Sequence, residues 1–293
     1  MRHRSTRAAS IFCRRSSGAA IILPLLLTLL LSACNGPSGA ASSQPVTLNV
    51  FAAASLQAAF TDIGDAFHTA HPNVTVTFNF GGSDALATQI NQGAPADVFA
   101  SANIKQMNVA VQGGQITSSS VQTFAHNRLV VIYPKNNPAH IATLQDLAKT
   151  GVHLVLAAQA VPVGQYALDF LTKASADPSF GASYKDAVLK NVVSYEADVK
   201  SVLTKVALGE ADAGIVYITD AKTKADSVTT IDIPDALNSI AVYPIAPVKG
   251  SQRADVAQQF ISAVLSAQGQ ATLAKYGFVA GSSGPQYTPP AGA

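Results

Sequence analysis

Cysteine is nearly absent from the sequence, which limits the chemistry available to the protein. Cys13 and Cys34 are the only cysteines among 293 residues, and both lie near the amino terminus. From residue 35 onward the chain therefore has no disulfide, no thiolate metal ligand and no cysteine nucleophile.

The first 34 residues have the composition of a cleaved leader. Five arginines precede or flank the start of a short apolar run at 19–31, which is too short to span a bilayer, and Leu31-Ser32-Ala33 then leads into Cys34. This order resembles a bacterial lipobox. It predicts a signal peptide over 1–33, an acylated Cys34 that anchors the chain to the cell membrane outside the cytoplasm, and a flexible tether over 34–45.

Basic charge is also scarce once this leader is set aside. Removal of its five arginines from the 19 basic residues leaves 14 against 17 acidic residues, so the net charge changes from +2 to −3. The basic balance of the full chain therefore comes from the leader, and no nucleic-acid partner is predicted.

Catalytic signatures are missing, apart from one ambiguous stretch. The chain has no Gly-Lys pair for a P-loop and no H-E-x-x-H pattern. The stretch Gly81-Gly82-Ser83-Asp84-Ala85 differs from the G-x-S-x-G elbow of serine hydrolases at one position, where Ala85 replaces the final glycine. That fold needs a histidine late in the chain, and none follows His153. A secreted hydrolase using Ser83 stays a remote alternative, and the protein is predicted not to be an enzyme.

Strand-like and helix-like runs alternate along the rest of the chain. Apolar β-branched runs such as 46–54 and 74–80 are each followed by runs with apolar residues at helical spacing. This alternation predicts an α/β fold with mixed, mostly parallel sheets and helices on both faces. Two such series predict two lobes, with a ligand cleft at the carboxyl ends of the strands. We place lobe 1 at 46–126 and 241–284, and lobe 2 at 127–240.

Two serines occupy equivalent places at the start of helices. Ser55 and Ser83 each follow a strand and a run of Ala or Gly. A serine at such a place is commonly an N-cap. The starts of helices also offer unpaired N–H groups and partial positive charge that favour an anion, and small residues let a ligand approach them.

Three later features point to the same cleft. Val163 lies between Pro162 and Gly164 where a strand meets a helix, and a second helix is predicted to begin near Val199, with Asp198 as its N-cap. Tyr217 ends an apolar strand. Read singly, these features fit a plain turn, a capped helix and a core tyrosine; together they also fit the lining of one cleft.

The combined motifs resemble the molybdate-binding proteins of bacterial ABC importers. The segments VFAAASL, GAPADVFASA, NRLVVIYP, VPVGQYAL, GEADAGIVYITDA and LAKYGF follow one another in the family's order over about 46–279. The resemblance implies a type II periplasmic-binding-protein fold that closes on a tetrahedral oxyanion. Carried over by position, it implies these ligand-binding residues: Ser55, Ser83, Val163, Val199 and Tyr217.

The resemblance further implies the role of each position. Hydroxyl groups come from the serines and the tyrosine, and backbone N–H groups come from Ser83, Val163 and Val199. These are contacts to the oxygen atoms of molybdate or tungstate, without direct ligation of the metal. Asp84 departs from the family's pattern, since a carboxylate beside an anion site is unfavourable unless it points to solvent.

The sequence therefore predicts a lipid-anchored receptor for molybdate and tungstate that delivers its ligand to the membrane permease of an ABC importer. No cofactor is expected, and the working form is expected to be a monomer. A receptor for sulfate or another small anion is the alternative. A protonated oxyanion such as phosphate fits less well, because the implied ligand set contains no acceptor for its hydrogen.

Overall fold

The computed structural model describes residues 44–290. The predicted signal peptide, Cys34 and most of the predicted tether lie outside the described residues. Within 44–290 no helix has the length and apolarity needed to cross a membrane.

The described strands form two separate sheets. The strands are β1 Val46–Ala53, β2 Val74–Gly81, β3 Val98–Ala100, β4 Gln122–Asn127, β5 Leu129–Pro134, β6 Leu154–Ala157, β7 Val192–Glu196, β8 Ala213–Tyr217, β9 Val228–Asp232, β10 Ala241–Pro247 and β11 Val279–Ala280. One sheet has the order β11-β4-β10-β3-β1-β2 and the other the order β7-β6-β8-β5-β9.

Nine α-helices in the described part of the chain connect and cover these strands. They are α1 Gln57–Ala70, α2 Ser83–Asn91, α3 Ile104–Gln112, α4 Pro162–Ala176, α5 Tyr184–Lys190, α6 Val199–Ala207, α7 Ile218–Lys222, α8 Ala254–Leu265 and α9 Ala267–Lys275. The predicted α/β class with two sheets is confirmed.

The parallel share of the sheets is smaller than predicted. In the first sheet β1 pairs in parallel with β2 and β3, whereas β10 pairs antiparallel with β3 and β4, and β11 antiparallel with β4. In the second sheet β6 pairs in parallel with β7 and β8, but β5 pairs antiparallel with β8 and β9. The antiparallel pairs involve β4, β5 and β10, which flank the points where the chain passes from one sheet to the other.

The helical spacing of apolar residues explains how α1 packs. Phe60, Ile63 and Phe67 recur on one face of this helix and are buried, as is Leu56 in the 3₁₀ turn before it. The ring of Phe60 lies 5.6 Å from that of Phe124 on β4. Burial of such side chains stabilises the fold by about 1.5–3 kcal/mol each, and it fixes the position of the turn that carries Ser55.

Candidate functional site

The five residues predicted to bind the ligand surround one small cavity between the two sheets. The lining residues are Ala53, Ala54, Ser55, Gly81, Gly82, Ser83, Ala102, Val161, Pro162, Val163, Asp198, Val199 and Tyr217. The volume of the cavity that the centre of a water molecule can reach is about 10 Å³. This is about the space that one water molecule needs, so no extended organic molecule fits in the cavity.

Neither cavity serine caps its helix. Ser83 is the first residue of α2, behind Gly82 as N-cap, and neither Ser83 nor Ser55 makes a capping hydrogen bond. The oxygen of Ser83 instead accepts a hydrogen bond from the backbone N–H of Ala102 at 3.0 Å. This leaves the Ser83 hydroxyl hydrogen available to a group in the cavity.

Ser55 has a buried tyrosine behind it. Its hydroxyl oxygen lies 2.9 Å from the hydroxyl oxygen of Tyr243, which is on β10 and does not line the cavity. Nothing in the sequence marks Tyr243 as part of a site, because the apolar run around it is typical of a core strand.

Tyr217 presents a hydroxyl group without a partner. Its side chain is 1% exposed, and the hydroxyl has no hydrogen-bond partner among the described residues. Burial raises the pKa of Tyr217 well above its ordinary value, so the phenol stays protonated at neutral pH. A buried donor of this kind costs free energy until an acceptor reaches it. The Tyr243 hydroxyl lies nearby and helps to raise the pKa of Tyr217, and a ligand in the cavity can supply a well-placed acceptor.

The start of α4 brings a backbone N–H to the same cavity. Pro162 is the first residue of α4, a position that suits its fixed φ, and Val163 is the second. A Cβ at Gly164 would overlap the carbonyl oxygens of Ala158 and Ala157. Glycine therefore lets the helix begin close to the end of β6, with the amide of Val163 unused by the helix.

The start of α6 supplies a second backbone donor. Asp198 is its N-cap, as predicted, and the Oδ1 atom accepts a hydrogen bond from the N–H of Ser201 at 3.0 Å. The carboxylate thus accepts the N–H of the third residue of the helix. The N–H of Val199, the first residue, has no partner within the helix.

Among residues 44–290, no basic side chain lines the cavity. Lys200 follows Val199 directly, but its Nζ atom lies 2.8 Å from Oδ1 of Asp220, a fully buried carboxyl group. Burial raises the pKa of Asp220, against the opposing effect of the Lys200 ammonium. The ammonium group of Lys200 is therefore paired with Asp220, and the donors of the described residues that face the cavity are neutral.

Asp84 does not line the cavity, but it does not simply point to solvent either. Its Oδ1 atom is buried without a partner among the described residues. The side chain lies in the first turn of α2, where the helix dipole favours a negative charge. A Cβ placed on Gly82 would lie 2.7 Å from this oxygen and 2.5 Å from the carbonyl oxygen of Ala197 in the second lobe. Gly82 therefore allows the two lobes to meet.

The surroundings of Ser83 do not support nucleophilic catalysis. No histidine in the described part of the chain lines the cavity. His126 instead contacts the carbonyl oxygens of Ala280 and Pro285. Across residues 44–290 no three His, Cys, Asp or Glu side chains come together to form a metal site.

A larger cavity of about 520 Å³ lies where the chain crosses between the sheets, lined in part by Arg128, Asp235 and Ile240. Arg128 and Asp235 form an exposed ion pair with each other. None of the buried polar atoms that lack a partner in the described chain belongs to its lining. The smaller cavity, with its free hydroxyl and amide donors, is therefore the candidate binding site.

Comparisons with known proteins show the family to which the chain belongs. A sequence profile described as "bacterial extracellular solute-binding protein" matches residues 48–279. A protein of Mycobacterium tuberculosis named molybdate-binding protein is 38% identical over 88% of this chain and 95% of its own. A protein of Bacillus subtilis named putative ABC transporter substrate-binding lipoprotein is 33% identical over 88% of this chain and 96% of its own.

A solved structure of a substrate-binding domain is also similar to this chain. The substrate-binding domain of a putative molybdenum ABC transporter from Clostridium difficile is 32% identical, covers 80% of this chain and 98% of that domain, and superposes with a TM-score of 0.58. The resemblance seen in the sequence is therefore confirmed: the chain belongs to the family of bacterial extracellular solute-binding proteins and is not an enzyme.

Proposed function

We propose that this protein is the substrate-binding component of an ABC importer and that it captures molybdate, and also tungstate, outside the cytoplasm. The observation that carries the proposal is the buried, unpartnered hydroxyl of Tyr217 facing a small cavity with Ser55 and Ser83. Hydrogen-bond donors without acceptors, gathered from both lobes, suit a small anion. The relatives named for molybdate support this choice of anion.

Neutral donors are chemically sufficient for such a ligand. A hydrogen bond to a charged partner contributes about 1.5–3 kcal/mol, so several together replace the water shell of the anion. Two serine hydroxyls, the Tyr217 hydroxyl and the amides of Ser83, Val163 and Val199 make up the proposed donor set. Each donates, so a fully deprotonated tetrahedral oxyanion fits, whereas a protonated one needs an acceptor for its hydrogen.

The proposal also covers the lipid anchor of the protein and the permease to which it delivers the oxyanion. The leader over 1–33 is removed, Cys34 is acylated, and the tether lets the lobes reach the membrane permease of the importer. The relative named as a lipoprotein supports this anchor. The working form is a monomer, and the oxyanion binds without a cofactor.

Titration calorimetry with four sodium salts tests the choice of ligand. We expect saturable binding of molybdate and tungstate, weaker binding of sulfate, and no binding of phosphate. Sulfate is the second candidate because it is also a fully deprotonated tetrahedral anion. Tight sulfate binding without a molybdate signal would overturn the proposal in favour of a sulfate receptor.

Removal of single hydroxyls tests the donor set. We expect Ser55→Ala, Ser83→Ala and Tyr217→Phe each to weaken molybdate binding about tenfold, since each loses one hydrogen bond to a charged partner. The matched control is Tyr184→Phe, which removes a buried tyrosine hydroxyl bonded to the carbonyl oxygen of Leu144, away from the cavity. If all four variants bind molybdate as tightly as the unmodified protein, these three hydroxyls are not donors to the ligand.

A further inference from the structure

We infer that Tyr243 is a positioning residue for the ligand: its hydroxyl directs the hydroxyl hydrogen of Ser55 into the cavity. The inference rests on the proposed function and goes beyond it, since Tyr243 does not touch the cavity. The two residues are 188 positions apart in the chain, and the first sheet brings their oxygen atoms to 2.9 Å. Both are buried, Tyr243 fully and Ser55 to all but 5%.

The direction of this hydrogen bond follows from Asn127, at the end of β4. The Oδ1 atom of Asn127 accepts the backbone N–H of Arg128 at 3.0 Å, which fixes the orientation of the amide. The Nδ2 atom then donates to Oγ1 of Thr219 at 2.8 Å and, over a longer 3.4 Å, to the hydroxyl of Tyr243. An amide nitrogen only donates, so the Tyr243 oxygen is the acceptor in that contact.

This arrangement leaves one acceptor for the proton of Tyr243. Asn127 offers a donor, and the neighbouring Tyr217 keeps its own proton, because burial and its contact with Tyr243 raise the pKa of Tyr217. The Tyr243 proton therefore goes to the Ser55 oxygen. Burial raises the pKa of Tyr243, so the phenol keeps this proton at neutral pH. The hydroxyl hydrogen of Ser55 cannot also lie between the two oxygens, so it is left for an acceptor in the cavity.

Ser83 shows the same arrangement by a different route. There the donor behind the serine oxygen is the backbone N–H of Ala102. Each serine therefore has a protein donor behind its oxygen and its own hydrogen free for the oxyanion. At Ser83 no side-chain substitution removes the donor, whereas at Ser55 a single side chain supplies it.

A core-packing role for Tyr243 is the competing explanation, and one substitution separates the two. The ring of Tyr243 contacts the rings of Phe278, Tyr217 and Phe124 at centroid distances of 5.4, 5.8 and 6.2 Å. Phenylalanine keeps the ring and these contacts, and removes only the hydroxyl. Tyr243→Phe therefore tests the hydrogen bond and not the packing.

The test is a double-mutant cycle of Tyr243→Phe and Ser55→Ala, read by molybdate calorimetry on the full mature chain. We expect Tyr243→Phe alone to weaken binding about tenfold, and to weaken it by less than about twofold when Ser55 is already alanine. Chemical denaturation without ligand checks that each variant folds, and Tyr184→Phe is the control for loss of a buried tyrosine hydroxyl elsewhere.

The outcomes separate the inference from the proposed function. Unchanged affinity of Tyr243→Phe, or an equal loss with and without the Ser55 hydroxyl, would overturn the inference while the unmodified protein still binds molybdate. Failure of the unmodified protein to bind molybdate, tungstate or sulfate would overturn the proposed function, and this inference with it.

Discussion

Replacement of Lys200 by methionine should lower the free energy of unfolding by about 3–5 kcal/mol, the usual effect of leaving a buried charge without its partner. Asp220 is fully buried, and the Nζ atom of Lys200 at 2.8 Å is its only ion-pair partner among the described residues. Methionine keeps most of the apolar stem of lysine, so the substitution removes mainly the charge.

Chemical denaturation of three variants measures this effect. The matched control is Lys275→Met, because Lys275 pairs with Asp62 on the surface at a similar 2.9 Å, and an exposed pair contributes only about 0–1 kcal/mol. Addition of Asp220→Asn to Lys200→Met should restore part of the loss. Similar losses for Lys200→Met and Lys275→Met would contradict the account of a buried pair.

The pH dependence of the same variant has a definite sign. Burial already raises the pKa of Asp220, and loss of the ammonium raises it further. The native state then holds a proton that the unfolded state releases above about pH 4, so stability falls as the pH rises. The difference between Lys200→Met and the unmodified protein should therefore grow as the pH rises above the already raised pKa of Asp220 in the unmodified protein.

Replacement of Gly82 by alanine should weaken molybdate binding about 100-fold without destabilising the free protein. A Cβ at this position would lie 2.5 Å from the carbonyl oxygen of Ala197 and 2.7 Å from Oδ1 of Asp84. Ala197 precedes α6 in the second lobe, so this overlap opposes the approach of the two lobes, whereas the Asp84 carboxylate lies beside Gly82 and can rotate away from the added methyl group. Overpacking of this kind costs about 1–3 kcal/mol, and the upper end of that range corresponds to about 100-fold in affinity.

The neighbouring glycine is the control. A Cβ on Gly81 would lie 3.6 Å from the nearest side-chain atom, on Leu86, which is ordinary contact. Gly81→Ala should therefore leave molybdate affinity nearly unchanged. Calorimetry gives the affinities, and denaturation without ligand gives the stabilities. Unchanged affinity of Gly82→Ala, or an equal loss in both variants, would show that Gly82 does not limit closure.

The periodicity of the sequence predicts most of the fold. The alternation of β-branched runs with helical spacing gives the α/β class, and Phe60 and Phe67 lie in the core as their spacing predicts. The predicted strand over 127–134 is in fact β5, preceded by a separate β4 at Gln122–Asn127. The segment before Asn127 lacks a continuous apolar run, so its pairing with β10 decides its structure. The predicted lobe boundaries stay a prediction.

The candidate site is predictable in part, because its residues begin helices after strands. Ser55, Ser83, Val163, Val199 and Tyr217 lie around one cavity, although their roles in binding stay a prediction. The commonest reading of a serine at such a place, an N-cap, is wrong for both serines, because their oxygens lie against Ala102 and Tyr243 instead.

The groups behind the site could not be predicted from the sequence. Tyr243 lies in an apolar strand typical of the core, and its hydroxyl meets Ser55 only through the pairing of distant strands. Asp220 lies among polar residues typical of a surface helix, yet it is fully buried beside Lys200. Contacts over such sequence distances depend on the packing of the two sheets and leave no local pattern.

The central claim is that neutral donors from both lobes hold a deprotonated oxyanion in the small cavity. Anomalous scattering from molybdenum in crystals grown with molybdate tests it most directly. We expect one molybdenum peak inside the cavity. The hydroxyl oxygens of Ser55, Ser83 and Tyr217 and the amides of Ser83, Val163 and Val199 should lie at about 2.7–3.2 Å from the oxyanion oxygens. A peak at another place on the protein, or a lysine or arginine side chain on the oxyanion, would contradict it.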